Sequence, residues 1–372
     1  MYDKEYMILA GIILCIGLIL VCTNIHIQLT AAKRDYYVSM APFLGGILVS
    51  LALFICPFTR RFFFLGIFTD LSWWALIYAI VDEFILFPIA KKKNPCACKV
   101  LVLADNTPYN DFRAEHGLSL YIEDCHGREK LLLDAGKSEL FYENALKLGV
   151  DLSRVKYAVL SHSHYDHSDG FDKFFEVNQK ARLYVRQEAG EDFYSNHDDG
   201  LKYIGPKKGM LEKYSDRIKY VNKEVTPVGC WGRVLIPHST EGLAVIGEKA
   251  RLFKKVDGEL IPDDFSHEQT LIIHTKKGVV IFNSCSHGGA ANIVREVLEY
   301  TGASKIYAYI GGFHLFVSSD EEIMSFAETL KEVEVERIIT GHCTGDHAFE
   351  ILKRELGDRV EKLHSGLEIE LA

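Results

Sequence analysis

Four candidate metal ligands lie within six residues of one another, directly after the apolar run Val155–Leu160. They belong to the segment Ser161–Gly170 and are His162, His164, Asp166 and His167. Neutral imidazole and carboxylate are preferred ligands of zinc and similar divalent ions. Alternate residues at the mouth of a strand point the same way, so the first two histidines can hold one ion while the other two ligands reach a second. The pattern predicts a dinuclear metal site rather than a histidine-rich surface loop.

The N-terminal third of the chain is far more apolar than the remainder. Three apolar runs, Tyr6–Leu29, Val38–Phe58 and Leu71–Ala90, are long enough to cross a bilayer as helices. Acidic residues precede the first run and further apolar runs follow it, which argues against a cleaved signal peptide. We therefore predict a membrane region with two or three helices and a basic linker over residues 1–95, and a catalytic domain over residues 96–372. A buried helical core is the competing interpretation.

Basic residues next to the apolar runs predict the side on which the catalytic domain lies. They follow the three runs at residues 33–34, 60–61 and 91–93. Cytoplasmic segments are enriched in Lys and Arg, and with three spans the first loop and the downstream domain share the more basic side. We therefore expect a cytoplasmic catalytic domain. Asp82 and Glu83 are costly in lipid, so two spans with an interfacial third helix stay open as an alternative.

Charge and motif content narrow the class of function. The 372 residues carry a net charge of -9 without a long basic stripe, which disfavours a nucleic-acid partner. The nine cysteines have no framework spacing, and Cys96 and Cys98 have the wrong gap for a zinc knuckle or a thioredoxin motif. Reduced thiols are the simplest account. We find no phosphate-binding glycine loop and no serine nucleophile elbow, so water activated by metal is the nucleophile that the sequence supports.

From residue 99 onward, short apolar strands alternate with helical patterns. The predicted strands are Lys99–Ala104, Ser119–Glu123, Lys130–Leu133, Val155–Leu160, 182–186, Leu271–His274, Val279–Phe282, Lys305–Tyr309, Arg337–Thr340 and Leu367–Leu371. Two halves, each made of strands followed by strand–helix units, predict two facing sheets with helices outside. Polar residues 190–220 are predicted to form an insertion near the site.

Several further motifs occur in a recognisable order. They are Glu115-His-Gly-Leu-Ser119, Leu133-Asp-Ala-Gly136, Asn144-Ala-x-x-x-Gly149, Cys285-Ser-His287, Gly311-Gly-Phe-His-Leu315 and Gly341-His-Cys-Thr-Gly345. With the histidine segment, they make residues 99–372 resemble the metallo-β-lactamase superfamily, and in particular its dihydropterin ribofuranosyl-aminobenzene phosphate synthase-like hydrolases. The resemblance implies an α/β fold, a four-layer αβ/βα sandwich with a metal site at one edge. The N-terminal transmembrane helices precede that sandwich and lie outside the resemblance.

The resemblance also implies three downstream metal ligands. His342 matches the last histidine of the superfamily, and His267 stands where its third histidine is found. The superfamily has a bridging aspartate at about Cys285, and His287 is the natural replacement for it in this chain. The predicted ligand set is therefore His162, His164, Asp166, His167, His267, His287 and His342.

One of these ligands and three other residues are given further roles. Asp166 and His314 are predicted as catalytic, the latter binding substrate or donating a proton to the leaving group. Asp134 is predicted to orient a ligating histidine, and Cys285 is predicted as a small buried neighbour of the site or a soft ligand. Asn106 and His116 are placed along the pocket, and six other histidines are predicted at the surface.

These inferences predict a membrane-anchored, metal-dependent hydrolase. Two divalent cations, zinc in the first place and iron or manganese as alternatives, would activate water against an ester or phosphoester bond of a small-molecule substrate. The alternatives are a pterin-linked transferase and a non-catalytic membrane sensor. Membrane contact through the N-terminal helices is expected, nucleic-acid binding is not, and a homo-oligomer is left open.

Overall fold

The computed structural model describes residues 4–34, 43–70, 77, 98–124, 127, 129–198, 200–222, 225–229 and 232–371. The chain divides into two compact units, Met1–Lys92 and Lys93–Ala372. Apart from Ile77, the third apolar run lies outside the described residues, together with Asp82, Glu83 and the predicted basic linker. The number of spans therefore stays a prediction.

In the part of the N-terminal unit that the structure describes, there are two α-helices and a 3-10 helix. These are α1 (Lys4–Arg34), α2 (Leu44–Ile55) and the 3-10 helix Arg60–Thr69. Within the described residues, one stretch, Tyr6–His26, is long and apolar enough to cross a membrane. The second apolar run instead forms the 12-residue helix α2, which is shorter than the roughly 20 residues that a bilayer requires. Residues 38–42 of this run lie outside the described residues, so its crossing of the membrane stays a prediction.

A buried carboxylate lies among the helices of this unit. Asp70 is fully buried, and its Oδ2 accepts hydrogen bonds from Asn24 Nδ2 at 3.3 Å and from Gly46 N at 3.4 Å. A Cβ at Gly46 would lie 2.7 Å from the carbonyl oxygen of Ile67, so only glycine allows this close approach. The apolar unit is thus organised around a polar contact between its helices.

The C-terminal unit alternates strands and helices along most of its length. The strands are β1 (Cys98–Ala104), β2 (Ser119–Asp124), β3 (Lys130–Leu133), β4 (Tyr157–Val159), β5 (Arg182–Arg186), β6 (Phe193–His197), β7 (Gly200–Tyr203), β8 (Ile218–Val221), β9 (Thr226–Pro227), β10 (Arg233–Pro237), β11 (Leu252–Val256), β12 (Glu259–Pro262), β13 (Gln269–Thr275), β14 (Gly278–Phe282), β15 (Ile306–Gly311), β16 (Arg337–Thr340), β17 (Val360–Lys362) and β18 (Glu368–Leu371). The helices are α3 (Leu140–Lys147), α4 (Tyr165–Ser168), α5 (Phe171–Val177), α6 (Met210–Lys213), α7 (Leu243–Lys249), α8 (Ala290–Thr301), α9 (Asp320–Glu332) and α10 (Asp346–Leu356).

Two seven-stranded sheets form the centre of this unit. Their strand orders are β18-β1-β2-β3-β4-β5-β8 and β17-β16-β15-β14-β13-β10-β9. One core lies between the sheets and is built from inward side chains of both, including Val100, Leu120, Leu133, Leu271, Val280 and Ile310. Helices α3 and α5 pack on the outer face of the first sheet, and α8, α9 and α10 pack on the outer face of the second. The predicted four-layer sandwich is confirmed.

A third, four-stranded sheet of order β12-β11-β6-β7 was not predicted as strands. It contains part of the polar stretch 190–220, which the sequence predicts as an insertion near the site. Its strand β6 begins at the buried residue Phe193, whose ring lies 4.2 Å from that of His267 and 6.1 Å from that of His164. The insertion therefore lies against His267 and close to His164.

Parallel pairing brings the candidate site residues to one edge of the sandwich. Strands β3, β4 and β5 are parallel neighbours, as are β14, β15, β16 and β17. Carboxyl ends of parallel strands meet at the same edge of a sheet, and ligands commonly bind there. The loops that leave these ends hold the motifs that the sequence singled out.

Candidate metal centre

The histidine segment leaves β4 and turns directly into helix α4. His162, His164, Asp166 and His167 are all buried, with at most 6% of their surface exposed. The rings of His162 and His164 lie 4.6 Å apart, and those of His162 and His167 lie 4.2 Å apart. A short loop followed by one helical turn thus directs four polar side chains into a single buried cluster.

Two histidines from the second sheet complete the cluster. The ring of His287, beyond β14, lies 4.8 Å from His162 and 5.0 Å from His164. His342, beyond β16, places its Nε2 at 3.1 Å from His167 Nε2 and 3.4 Å from Asp166 Oδ2. The residues that the sequence predicted from distant segments are therefore brought together.

These side chains fit divalent cations. Nε2 of His162, Nε2 of His164 and both ring nitrogens of His287 are buried without a hydrogen-bond partner, and one ring nitrogen from each of these residues lies within 4.8 Å of the other two. A buried polar atom without a partner costs roughly 1–3 kcal/mol. Since three such atoms converge, a shared cation is the physical account of their arrangement. Donor atoms of Asp166, His167 and His342 form a second group, 3.1–3.5 Å apart.

Hydrogen bonds from neighbouring residues fix the orientation of His167 and His342. Asp134 is fully buried, and its Oδ2 lies 2.8 Å from His167 Nδ1. Its carboxylate also accepts hydrogen bonds from Ser161 N at 2.7 Å and Ser161 Oγ at 2.6 Å. Asn106 Oδ1 lies 2.9 Å from His342 Nδ1. Each Nδ1–H is thus directed to an oxygen, which leaves the lone pair of each Nε2 facing the cluster.

His287 is held differently, by contacts that sequence reasoning missed. Neither of its ring nitrogens has a partner among the described atoms, and its ring stacks on Phe265 at 4.7 Å with an interplanar angle of 5°. Its backbone N–H donates to Glu268 Oε1 at 2.9 Å, and that of Gly288 donates to Glu268 Oε2 at 2.7 Å. Glu268 is 1% exposed. This buried carboxylate therefore positions the His287 loop through its backbone.

His267 lies beside the cluster with both ring nitrogens engaged by protein groups. Its Nδ1 accepts from Ser163 N at 3.0 Å, and its Nε2 lies 3.0 Å from Asp263 Oδ2. Its ring lies 5.5 Å from that of His164. In this arrangement neither nitrogen has a free lone pair for a cation, so its predicted role as a ligand requires a change of partners. Asp263, four residues before His267, is the feature of the sequence that could have indicated this contact.

Three further predicted residues border the cluster. Cys285 Sγ lies 3.3 Å from His167 Nε2. The ring of His314 lies 4.4 Å from that of His287, and its Nδ1 is buried without a partner. His116 is half exposed, and its Nε2 lies 3.3 Å from Asp166 Oδ2. The structure thus places the predicted catalytic and pocket residues around the ligands.

Burial keeps four of the imidazoles neutral. It lowers the pKa of His162 and of His287 well below the ordinary value, and neighbouring imidazoles lower both further. Burial also lowers the pKa of His164 to about 3 and that of His342 to about 4. Only neutral imidazole offers a lone pair to a cation, so these rings are in the ligating form at physiological pH.

The remaining pair of side chains is charged. Burial alone would lower the pKa of His167, but the carboxylates of Asp166 and Asp134 raise it to about 10. Burial alone would raise the pKa of Asp166, but His167 and His342 lower it below its ordinary value. A negative charge therefore persists at this end of the cluster, and a divalent cation can take the place of the proton on His167.

Comparisons with known proteins agree with this geometry. The sequence profile of the metallo-beta-lactamase superfamily matches residues 113–248. A Methanocaldococcus jannaschii protein named 7,8-dihydropterin-6-methyl-4-(beta-D-ribofuranosyl)-aminobenzene-5'-phosphate synthase is 29% identical over 291 residues, covering 72% of this chain and 95% of that protein. An uncharacterised protein of the same organism is 30% identical over 253 residues, covering 66% of this chain and 90% of that protein.

A solved structure is also similar to this chain. The crystal structure of Tm1679, described as a metal-dependent hydrolase of the beta-lactamase superfamily, superimposes with a TM-score of 0.62 and 32% sequence identity. The match covers 74% of this chain and 99% of that one.

Proposed function

The chain belongs to the metallo-β-lactamase superfamily, and from that premise we propose that it is a metal-dependent hydrolase of small-molecule esters or phosphoesters. The convergence of buried, unpartnered imidazole nitrogens from His162, His164 and His287 is the observation that supports this proposal most strongly. The similarity to Tm1679, which is described as a hydrolase, adds to it.

We propose that His162, His164 and His287 hold one divalent cation and that Asp166, His167 and His342 hold the other. Such cations lower the pKa of water towards neutrality and polarise a scissile oxygen, which supplies a nucleophile. Five imidazoles and one carboxylate favour zinc, with iron and manganese as alternatives.

Other side chains of the protein orient the proposed ligands or face the substrate. Asp134 and Asn106 fix the tautomers of His167 and His342 through the Nδ1 hydrogen bonds. Asp166 brings a negative charge to the ligands of the second cation. We propose that His314, which is half-buried against the ring of His287, binds substrate or donates a proton to the leaving group. His116 lies on the exposed side, where substrate would approach.

The relative named as a synthase supports a second candidate function. A transferase of that kind would join the amine of an aromatic ribosyl phosphate to the alcohol carbon of a pterin alcohol diphosphate, with diphosphate as the leaving group and loss of a proton from the amine. Release of diphosphate that depends on an amine acceptor would favour the transferase, whereas release in its absence would favour hydrolysis.

We also propose that the apolar helix within Tyr6–His26 anchors the protein in a membrane, with the catalytic unit on the cytoplasmic side. Its length and composition support the anchor, and the basic residues after the apolar runs support the orientation. Fractionation of cells that express the full chain tests the anchor, because release by high salt would contradict it.

Metal dependence is the central test of the hydrolase. The full chain is stripped with a chelator, reloaded with zinc, iron or manganese, and assayed on a panel of esters and phosphodiesters. We expect activity to be lost on stripping and restored by at least one metal. His162→Ala should not be rescued, whereas the surface variant His347→Ala should behave as the parent protein, since that side chain is 73% exposed. Hydrolysis that is indifferent to metal would refute the proposal.

A further inference from the structure

Two cysteines and a histidine meet beside the proposed pair of cations. Cys285 follows β14, His314 follows β15 and Cys343 follows β16, so three neighbouring parallel strands supply them. One donor atom from each lies within 4.8 Å of the other two. Cys285 is 3% exposed and Cys343 is 6% exposed. We call these three residues the thiol cluster.

The local backbone is shaped to bring the thiol cluster together. A Cβ at Gly312 would lie 2.5 Å from Cys343 Sγ and 2.7 Å from the carbonyl oxygen of Ser284, so only glycine lets the strands approach this closely. The backbone N–H of His314 donates to Cys343 Sγ at 3.3 Å. His314 itself has a φ of 48°, a left-handed conformation that is costly outside glycine. Such strain persists only where the surroundings enforce it.

The donor set suits a soft divalent cation. Two thiolates and one imidazole form a known type of zinc coordination, with Zn–S distances of about 2.3 Å and Zn–N distances of about 2.0–2.1 Å. Nδ1 of His314 is buried without a partner among the described atoms, so a cation would satisfy it. Binding would release one proton to solvent from each thiol. The ring proton of His314 would then reside on Nε2.

We propose that Cys285, His314 and Cys343 form a third cation site, for Zn²⁺ or a similarly soft divalent ion, with one coordination position open. The two proposed hydrolytic cations each have three other donors, and Cys285, which also groups with His162 and His167, borders both sites. A cation in this site would tie together the loops that follow β14, β15 and β16, and thereby the loops of His287 and His342.

Cation stoichiometry and sulfur ligation test the third site. The full-length chain, reduced and stripped of metal, is titrated with Cd²⁺ while the ultraviolet thiolate-to-cadmium charge-transfer band is recorded, and zinc content is measured in parallel. We expect three equivalents of zinc per chain and a charge-transfer band. Cys343→Ser should lose one equivalent and most of the band. Cys98→Ser, which alters another buried cysteine in β1, should change neither.

His314→Gln provides a second variant should Cys343→Ser fail to fold, and it should also lose one equivalent. Two equivalents without a charge-transfer band would overturn the proposal. A band that disappears in Cys285→Ser but persists in Cys343→Ser would also overturn it, because Cys285 would then be a ligand of the hydrolytic pair.

His162→Ala separates this site from the hydrolytic one. We expect this variant to retain the charge-transfer band while losing zinc from the histidine cluster. If the parent chain bound cadmium through its thiols and no zinc through its histidines, the proposed hydrolase would fail and the third site would stand. Loss of the band in His162→Ala would show that the thiols bind only as part of the pair, and would overturn the third site.

Discussion

Replacement of Glu268 by glutamine should weaken metal binding through the His287 loop. The carboxylate accepts the backbone N–H groups of His287 and Gly288 at 2.9 and 2.7 Å, and it is almost fully buried. An amide keeps one acceptor oxygen but turns its NH₂ group towards the second backbone N–H. One hydrogen bond to a charged acceptor, about 1.5–3 kcal/mol, is therefore lost.

Part of that loss is offset because a buried charge is also removed. We therefore expect the free energy of unfolding of the metal-stripped chain to fall by about 1–2 kcal/mol, as measured by urea denaturation. The larger effect should be on zinc. Groups that orient metal ligands are typically worth about 10–100-fold in affinity, and His287 has no ring hydrogen bond to replace the lost backbone contact. Competition with a chelator measures this change.

A double-mutant cycle separates positioning from simple loss of charge. In a His287→Ala background there is no ring left to position, so Glu268→Gln should change zinc affinity by less than about threefold. Glu296→Gln is the matched control: this carboxylate accepts from Ser239 N at 2.9 Å and contacts His238 rather than a proposed ligand. An equal loss of affinity in both backgrounds would refute the positioning role.

Three further changes test the site and the fold. His162→Ala should lower the total zinc content by one equivalent per chain, measured by elemental analysis, while circular dichroism stays unchanged. Asp134→Asn should lower zinc affinity by about 10–100-fold, because an amide nitrogen placed at His167 Nδ1 cannot accept its proton; unchanged affinity would contradict this. Gly311→Ala should lower the unfolding free energy by about 1–3 kcal/mol, because the new Cβ would meet the carbonyl oxygen of Asn283, and equal urea midpoints would refute it.

Apolar runs predicted ten of the fourteen strands in the two central sheets, and β8, β9, β10 and β17 were not predicted. Lys130–Leu133 is found with the predicted bounds, and β1 begins only one residue before the predicted Lys99. The third sheet was missed because its strands lack this signal: all four residues of β7, Gly200–Tyr203, are exposed. Strand β6 of this sheet pairs with β11, Leu252–Val256, and no local sequence pattern indicates so distant a contact.

The candidate ligands could be predicted because their residue types and strand-end positions are readable locally, whereas their partners are not. Glu268 looks like an ordinary acid before a strand, since its partners are backbone N–H groups 19 and 20 residues later. His267 looks like a ligand because the sequence does not show that both of its nitrogens already have protein partners. Residue type predicts which contacts a side chain can make, and only the fold shows which of those contacts it makes.

Backbone strain marks the same edge of the sandwich independently of residue type. Asp134, Ser286, His314 and His342 all have left-handed φ values, between 45° and 58°. Each such residue costs roughly 1–3 kcal/mol, and six other described non-glycine residues with positive φ lie elsewhere in the chain. Each of the first four lies within five residues of the end of β3, β14, β15 or β16. Because the packed parallel strands hold these turns rigidly, the cluster keeps its geometry against the repulsion of its own polar groups, and the core of the sandwich thereby stabilises the site.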